Sequence, residues 1–319
     1  MQQQAAVAAQ AFLSNHSGKS FSPLLMFKRN HSGVKKVMQQ SLPERLSIEL
    51  TNYCTKGCPF CYNASTKEGA TTWTNKELIP FILDCASNGS KAVSFGGGEP
   101  LEYDGLFELL AQLKGKIFRS FTTNGLKLTP ETIKKLQHVK PDKIHISIHF
   151  PEKQKEVTRV KNQVLELEKS GLVAGVNMLV EKHKLKEVQE AVKALSEAGI
   201  DLSKIIFLPL KQTKNETDLT TAPDILKITE GKNFQSMSCL KACGKSPRFC
   251  AIGWDKHVSW CSYTSARNPL KSLDAKGLHQ ALENLDLIYC GSKSRISKPD
   301  KILSGTPVPA FDQATELER

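Results

Sequence analysis

The middle of the chain alternates short apolar, β-branched runs with longer amphipathic runs. Six of these runs have the length and composition of buried strands. They are residues 46–50, 91–95, 116–122, 143–150, 172–180 and 204–210. Between them apolar residues recur at helical spacing, and one such stripe consists of Leu185, Val188, Val192 and Leu195. Thr74, followed three residues later by Glu77, has the pattern of a helix N-terminal capping box.

Six β–α units in succession predict an α/β fold with parallel strands and helical crossovers. Residues 46–212 amount to about 167, well short of the roughly 250 that a closed eight-unit barrel takes. The pattern leaves two architectures open, because six units can form either an open, partial barrel or a doubly wound sheet.

Changes in composition and in hydrophobic periodicity along the chain predict four regions. Residues 1–43 form an N-terminal extension, 44–212 the core, 213–234 a polar linker, and 235–319 a cysteine-rich segment with a tail. The extension contains no Asp or Glu but five Lys/Arg, so an organelle presequence is the alternative reading. It lacks the basic and long apolar regions of a secretory signal. No apolar run approaches the roughly 18 residues needed to span a bilayer.

The composition is that of an ordinary globular protein, with 39% hydrophobic and 24% charged residues among 319. The formal net charge is +12. Such a surface can attract nucleic acid, an acidic peptide or an acidic electron-transfer protein, or have no partner at all. No run of five Lys/Arg and no known nucleic-acid motif is present, so nucleic acid is not indicated.

Nine cysteines in a chain of this size indicate metal or redox chemistry more than disulfides, and they favour a reducing, cytoplasmic location. Cys54, Cys58 and Cys61 follow the spacing C-x3-C-x2-C directly after the first strand. A structural zinc site takes four ligands. Three thiolates suit an iron–sulfur cube with one open iron. The alternatives are a zinc site completed by a distant residue, or coincidental buried cysteines.

This cysteine loop resembles that of the radical S-adenosylmethionine (radical SAM) enzymes, and the resemblance covers about residues 46–212. It implies a partial (β/α)6 barrel with a small cysteine-rich C-terminal appendage. It also implies that the three cysteines hold a [4Fe–4S] cluster whose fourth iron binds SAM. One electron from that cluster cleaves SAM to a 5′-deoxyadenosyl radical, which abstracts hydrogen from a substrate. Reduced flavodoxin or ferredoxin is the implied electron donor.

Further motifs at the ends of predicted strands match the same family. In "GGGEP" the resemblance assigns Gly97, Gly98 and Glu99 to the amino group of SAM. In "TTNG" it assigns Asn124 to the wall of the cofactor site. The remaining candidates for cofactor binding are Tyr62, Ser147 and His149, with Asn177 as a weaker one.

Strand alternation in "HISIHF" makes a separate prediction for the fourth strand. Ile146 and Ile148 should face the helices, while His145, Ser147 and His149 point into the barrel. A polar barrel interior favours a bound polar cofactor, since buried polar groups need partners.

The C-terminal cysteines resemble the opening of the auxiliary-cluster segments called SPASM or Twitch. Cys243 and Cys261 are separated by 17 residues that contain a predicted hairpin, although Lys256 stands where a turn glycine is expected. Cys290 could supply a third thiolate, and Cys239 or Cys250 a fourth. The resemblance implies at most one auxiliary [4Fe–4S] cluster; a zinc site and no metal are the alternatives. Cys85, inside the first helix, is predicted to be a buried apolar residue.

The substrate is the aspect of function that the sequence determines least. The auxiliary-segment resemblance favours a peptide or protein side chain, as in a maturase. A small-molecule dehydrogenase or cyclase is the first alternative, and a non-catalytic iron–sulfur protein on the same fold is the second.

Overall fold

Ten strands form one sheet in a computed structural model that describes residues 42–211, 219–237, 240, 244–246 and 248–287. The strands, in chain order, are β1 Arg45–Thr51, β2 Ala92–Gly97, β3 Phe118–Thr123, β4 Lys143–Ile148, β5 Ala174–Val180, β6 Ile205–Pro209, β7 Gln235–Ser236, β8 Phe249–Ile252, β9 His257–Ser259 and β10 Asn268–Pro269. Their spatial order is β10-β9-β8-β1-β2-β3-β4-β5-β6-β7. The sheet therefore has two separate edges, β10 and β7, in the described part of the chain.

Strands β1 to β6 are parallel and lie side by side in chain order, and helices connect them. The helices are α1 Asn75–Ser87, α2 Leu106–Gln112, α3 Pro130–Val139, α4 Gln154–Lys169, α5 Leu185–Ser196, α6 Ala222–Ile228 and α7 Ala275–Glu283. Because each crossover moves the chain one strand further in the same direction, the sheet curls as a barrel does but does not close. The open, partial (β/α)6 barrel is confirmed, and the doubly wound alternative is wrong.

The hydrophobic pattern located these elements to within a few residues. Val188, Val192 and Leu195 form the buried face of α5, as predicted. Thr74 and Glu77 form the predicted capping box of α1. Each apolar side chain fully buried between a helix and the sheet contributes about 1.5–3 kcal/mol to folding. The two layers are held together mainly by this burial.

A buried arginine closes the end of one helix against the sheet. Arg119 on β3 is 2% exposed, and its Nε donates to Asp142 Oδ2 over 2.9 Å. Its guanidinium also donates to the carbonyls of Leu110, Val139 and Lys140. The last carbonyls of an α-helix have no partner within the helix. Arg119 satisfies those at the end of α3, so its charge is compensated without contact with solvent.

The C-terminal segment continues the core sheet. Strand β8 pairs in parallel with β1, Leu46 lying opposite Cys250, and β8 and β9 form the predicted hairpin. Trp73 Nε1 donates to the carbonyl of Gly253 over 3.0 Å. Lys256, at the turn, has the left-handed φ of 62° that a glycine would adopt more easily. Its ammonium lies 2.6 Å from Glu77 Oε1. The segment predicted as an appendage therefore packs on β1 and α1.

Several predicted regions are only partly described. The range predicted as a linker, 213–234, contains helix α6. Residues 1–41 of the predicted extension lie outside the described residues, as do Cys239, Cys243 and Cys290. Among the helices that are described, none has the length and apolar character to cross a membrane.

Candidate active site

A cavity of about 260 Å³ opens at the carboxyl ends of the parallel strands. Every residue that the sequence assigned to the first cluster or to SAM lines it: Cys54, Cys58, Cys61, Tyr62, Gly97, Gly98, Glu99, Asn124, Ser147 and His149. The carboxyl ends of parallel strands all meet at one edge of the sheet, where βα loops build active sites. The structure therefore brings these separate motifs together in one place.

The cysteine loop follows β1 and is held by hydrogen bonds both within the loop and to neighbouring segments. The amide of Cys54 donates to the carbonyl of Thr66 over 2.8 Å, and that of Cys61 donates to the carbonyl of Cys58 over 3.1 Å. Thr55 is tied to Glu102 through its amide and its hydroxyl. None of the three cysteines forms a disulfide. The three cysteines line the cavity from this single loop, and Cys61 Sγ also accepts from the amide of Ser65 over 3.4 Å.

Burial favours the thiol form of Cys54 and Cys58 while no metal is bound. It raises the pKa of Cys54, and it raises the pKa of Cys58 to about 11. In the described part of the chain, no group of three or more His, Cys, Asp or Glu lies close enough to hold a single metal ion. A four-iron cube is wider than one ion and needs its ligands further apart. Three thiols on one cavity wall fit that larger group.

The glycine run at the end of β2 is pressed against the strand that leads into the cysteine loop. Gly98 donates to the carbonyl of Thr51, and a Cβ at position 98 would lie 2.0 Å from the carbonyl oxygen of Tyr53. Gly97 has a φ of 103°, and a Cβ there would meet Thr51. Glycine is thus required by contact with the chain itself. The family resemblance assigns these glycines to SAM, but contacts within the chain already require them.

Glu99 follows these glycines with its carboxylate inside the protein, 1% exposed. Oε1 accepts from Thr123 Oγ1 over 2.6 Å and from the amide of Leu101 over 3.0 Å. Oε2 accepts from the amide of Asn124 over 2.8 Å. Burial raises the pKa of Glu99 to about 7 in spite of these donors. An ionised carboxylate has about four acceptor positions, so one remains for a donor in the cavity.

Asn124 connects this carboxylate to the cysteine loop. Its amide contacts Glu99, and its side-chain Nδ2 lies 3.7 Å from Cys54 Sγ. The side-chain Oδ1 is held by the amide of Leu126 over 2.8 Å, so the orientation of the side chain is set from within its own turn.

Ser147 on β4 and His149, directly after that strand, contribute to the cavity wall. His145, two residues earlier, is buried and is not among the lining residues. Its Nε2 is a buried nitrogen without a hydrogen-bond partner among the described residues. Asn177, on the neighbouring strand, lines the cavity and donates to Thr122 Oγ1 over 3.3 Å, while its Oδ1 is likewise without a described partner.

Aromatic residues that the sequence argument missed complete the wall. Phe60, between the second and third cysteines, lines the cavity, and its ring centroid lies 5.4 Å from that of Phe150. Tyr263 also lines the cavity, and its ring centroid lies 5.0 Å from that of Tyr62. Phe60 and Tyr263 could have been proposed from the sequence only because they lie next to or near Cys61 and Cys261.

The described C-terminal cysteines occupy two different environments. Cys261 begins the turn that leads to Tyr263, whose amide donates to Cys261 Sγ over 3.5 Å. Cys250 is fully buried in the hydrophobic core with Cys85. Burial and the nearby Cys85 raise the pKa of Cys250. Such a position is unsuited to a cluster ligand, because the thiolate would lie among apolar side chains. The predicted burial of Cys85 in α1 is confirmed.

Comparison with known proteins gives the family. The model of the Radical SAM superfamily matches residues 48–221, more than half of the chain. The chain belongs to the radical SAM superfamily. The cofactors of this protein are accordingly SAM and a [4Fe–4S] cluster.

Two curated relatives each match more than half of the chain. The AdoMet-dependent heme synthase of Methanosarcina barkeri is 27% identical over 60% of this chain and 58% of its own length. The probable GTP 3′,8-cyclase of Methanosarcina mazei is 31% identical over 59% of this chain and 52% of its own length. The chain thus spans between half and two thirds of the length of these two curated relatives.

Among solved structures, SuiB of Streptococcus suis bound to S-adenosylmethionine is similar with a TM-score of 0.56. It is 18% identical, over 69% of this chain and 60% of SuiB. At this identity the similarity concerns the fold alone, and it agrees with the open barrel described above.

Proposed function

We propose that Cys54, Cys58 and Cys61 ligate the [4Fe–4S] cluster and that Glu99 accepts a hydrogen bond from the amino group of SAM beside it. The remaining contacts to SAM come from Gly97, Gly98, Asn124, Tyr62, Ser147 and His149. When bound, the cluster and SAM supply a 5′-deoxyadenosyl radical that abstracts hydrogen from a substrate.

One observation carries this proposal: Asn124 joins the first cysteine to the buried carboxylate. With its amide on Glu99 Oε2 and its Nδ2 3.7 Å from Cys54 Sγ, it sets the position of the carboxylate relative to the loop. A ligand that binds metal at the loop and donates a hydrogen bond to Glu99 must satisfy both positions at once. SAM has the required amino group.

Anaerobic purification tests the proposal directly. Iron and sulfide analysis should give at least one cluster per chain, and its electron paramagnetic resonance spectrum should change when SAM is added. Cys58→Ala should lose this cluster, whereas Cys85→Ala, in the core, should keep it. Zinc in place of iron, or a cluster whose spectrum ignores SAM, would refute the assignment.

For the substrate we propose a peptide or protein side chain, on the resemblance of the C-terminal segment to auxiliary-cluster segments. The second candidate is a small molecule, which the GTP cyclase among the relatives favours. Deuterated candidate substrates of each class, incubated with enzyme, reductant and SAM, decide between them. The substrate whose deuterium appears in 5′-deoxyadenosine is the one attacked. A flavodoxin or ferredoxin is the proposed electron donor, and binding of this acidic partner should weaken with salt, since the chain has a net charge of +12.

We also propose one auxiliary cluster, with Cys261 as a ligand and Cys239, Cys243 and Cys290 as the other candidates. Cys250 is left out because of its place in the core. Cys261→Ala should lower the iron content and the product yield while reductive cleavage of SAM continues. Unchanged iron content and yield in this variant would refute the auxiliary cluster.

A further inference from the structure

Lys56, between the first two cysteines, has its ammonium buried against two partners from another part of the chain. Its side chain is 11% exposed, and so is that of Glu156, in the first turn of α4. The ammonium lies 2.8 Å from His149 Nδ1 and 3.1 Å from Glu156 Oε1. The amide of His149 donates to the same carboxylate oxygen over 2.7 Å. This group, which we call the Lys56 network, connects the cysteine loop to the end of β4.

The chemistry of this network determines the proton positions on the imidazole ring. A lysine ammonium has three donors and no acceptor. His149 Nδ1 must therefore accept the hydrogen bond, and in a neutral ring the proton then lies on Nε2. Burial, with the positive charges of Lys56 and Arg159, lowers the pKa of His149 to about 3, so the ring is neutral. Glu156 compensates the charge of the lysine.

His149 also lies at the wall of the cavity. His149 is among the residues that line it, together with Phe60, whose ring centroid is 6.1 Å away. Within the described part of the chain, the ring's hydrogen bond is made at Nδ1. Nε2 is therefore the ring nitrogen left for a bound ligand.

We propose that Lys56 and Glu156 are positioning residues that hold His149 in its Nε2–H tautomer, so that His149 donates a hydrogen bond to an acceptor oxygen or nitrogen of SAM. The inference rests on the proposed function, because it takes the ligand of this cavity to be SAM. In this tautomer His149 Nε2–H is a hydrogen-bond donor, so it favours an acceptor atom of the ligand and disfavours a second donor.

The same contacts would also exist if the network only braced the loop, and two substitutions separate these roles. Asn at position 149 places an amide oxygen near the position of Nδ1, where it can accept from Lys56, but has no group near Nε2. Gln places its amide near Nε2 and loses the contact with Lys56. A donor role predicts that Gln retains SAM affinity and Asn loses it. A brace predicts the reverse order.

The test measures the Kd of SAM by calorimetry on full-length, cluster-loaded enzyme. His149→Asn should bind about 2- to 12-fold more weakly, the range for one lost neutral hydrogen bond. His149→Gln should stay within about twofold of the wild type. His138→Asn, on the exposed side of α3, is the matched control and should leave Kd unchanged. Equal affinity in all variants, or weaker binding by Gln than by Asn, would overturn the proposal.

A second measurement reads the tautomer without reference to SAM. Long-range ¹H–¹⁵N spectra of the full-length enzyme, its cluster oxidised and diamagnetic, should show protonated Nε2 and unprotonated Nδ1 for the ring whose signals disappear in His149→Asn. Lys56→Met, with unchanged iron content, should give a mixture of tautomers. A protonated Nδ1 in the wild type would overturn the proposal. Failure of the wild type to bind SAM would instead refute the proposed function, while these spectra still decide the tautomer.

Discussion

The ionisation of Glu99 should control how tightly SAM binds, and pH is the simplest perturbation. Burial raises the pKa of this carboxyl to about 7, while its hydrogen bonds from Thr123, Leu101 and Asn124 already favour the ionised form. Below the pKa the carboxyl takes up a proton and loses acceptor capacity, so SAM affinity should fall with falling pH. With a pKa near 7, only about one tenth of the carboxyls are ionised at pH 6. The Kd should therefore be about tenfold weaker at pH 6 than at pH 8.

Calorimetric titration of the cluster-loaded enzyme with SAM between pH 6 and 8 measures this dependence. Glu99→Gln should bind SAM about 10- to 150-fold more weakly at pH 8, the range for a hydrogen bond to a charged group, and its affinity should no longer change with pH. Glu131→Gln, at an exposed position of α3, should reproduce the wild-type profile. A flat wild-type profile, or an unchanged slope in Glu99→Gln, would refute the role of this carboxylate.

Three further predictions concern stability and the cluster. Arg119→Leu should lower the free energy of unfolding by about 3 kcal/mol in urea titrations, because it leaves three buried helix-end carbonyls without their donor and removes the ion pair with Asp142, which keeps only the backbone amide of residue 119. A loss below about 1 kcal/mol would contradict this. Burial raises the pKa of Glu49 to about 7 from 4.5. The free energy of unfolding therefore contains a contribution from the protonated carboxyl that is fully present below about pH 4.5 and is lost as the pH rises through 7. Glu49→Gln should remove about 3 kcal/mol of that decline, and an equal decline in both proteins would exclude Glu49 as its source. Cys58→Ala should abolish reductive cleavage of SAM, measured as 5′-deoxyadenosine, and full activity would exclude it as a ligand.

Much of the site could be read from the sequence because its motifs stand at strand ends. Cys54, Glu99 and Asn124 follow three successive strands of a parallel sheet, and this topology alone requires them to meet at one edge. Lys56 and Glu156 could not be found in this way. They are 100 residues apart, and each is unremarkable in its own loop or helix until the fold buries one against the other.

The C-terminal cysteines are a second case in which the sequence could not predict the environment of a residue. Spacing made Cys261 a candidate ligand paired with Cys243, and it left Cys250 as an alternative to Cys239 for the fourth position. The pairing of β8 with β1 placed Cys250 in the core near Cys85. That pairing joins residues about 200 apart, and no local pattern encodes it.

The sequence by itself determined the β–α rhythm, the family and the residues at the strand ends, because periodicity and motif spacing are local properties of the chain. Only the tertiary structure decided that the C-terminal hairpin extends the sheet, that the glycines before Glu99 are needed by the chain itself, and that a lysine of the cysteine loop contacts His149. These three facts depend on which distant segments pack together, and packing follows from burial and backbone pairing over the whole domain.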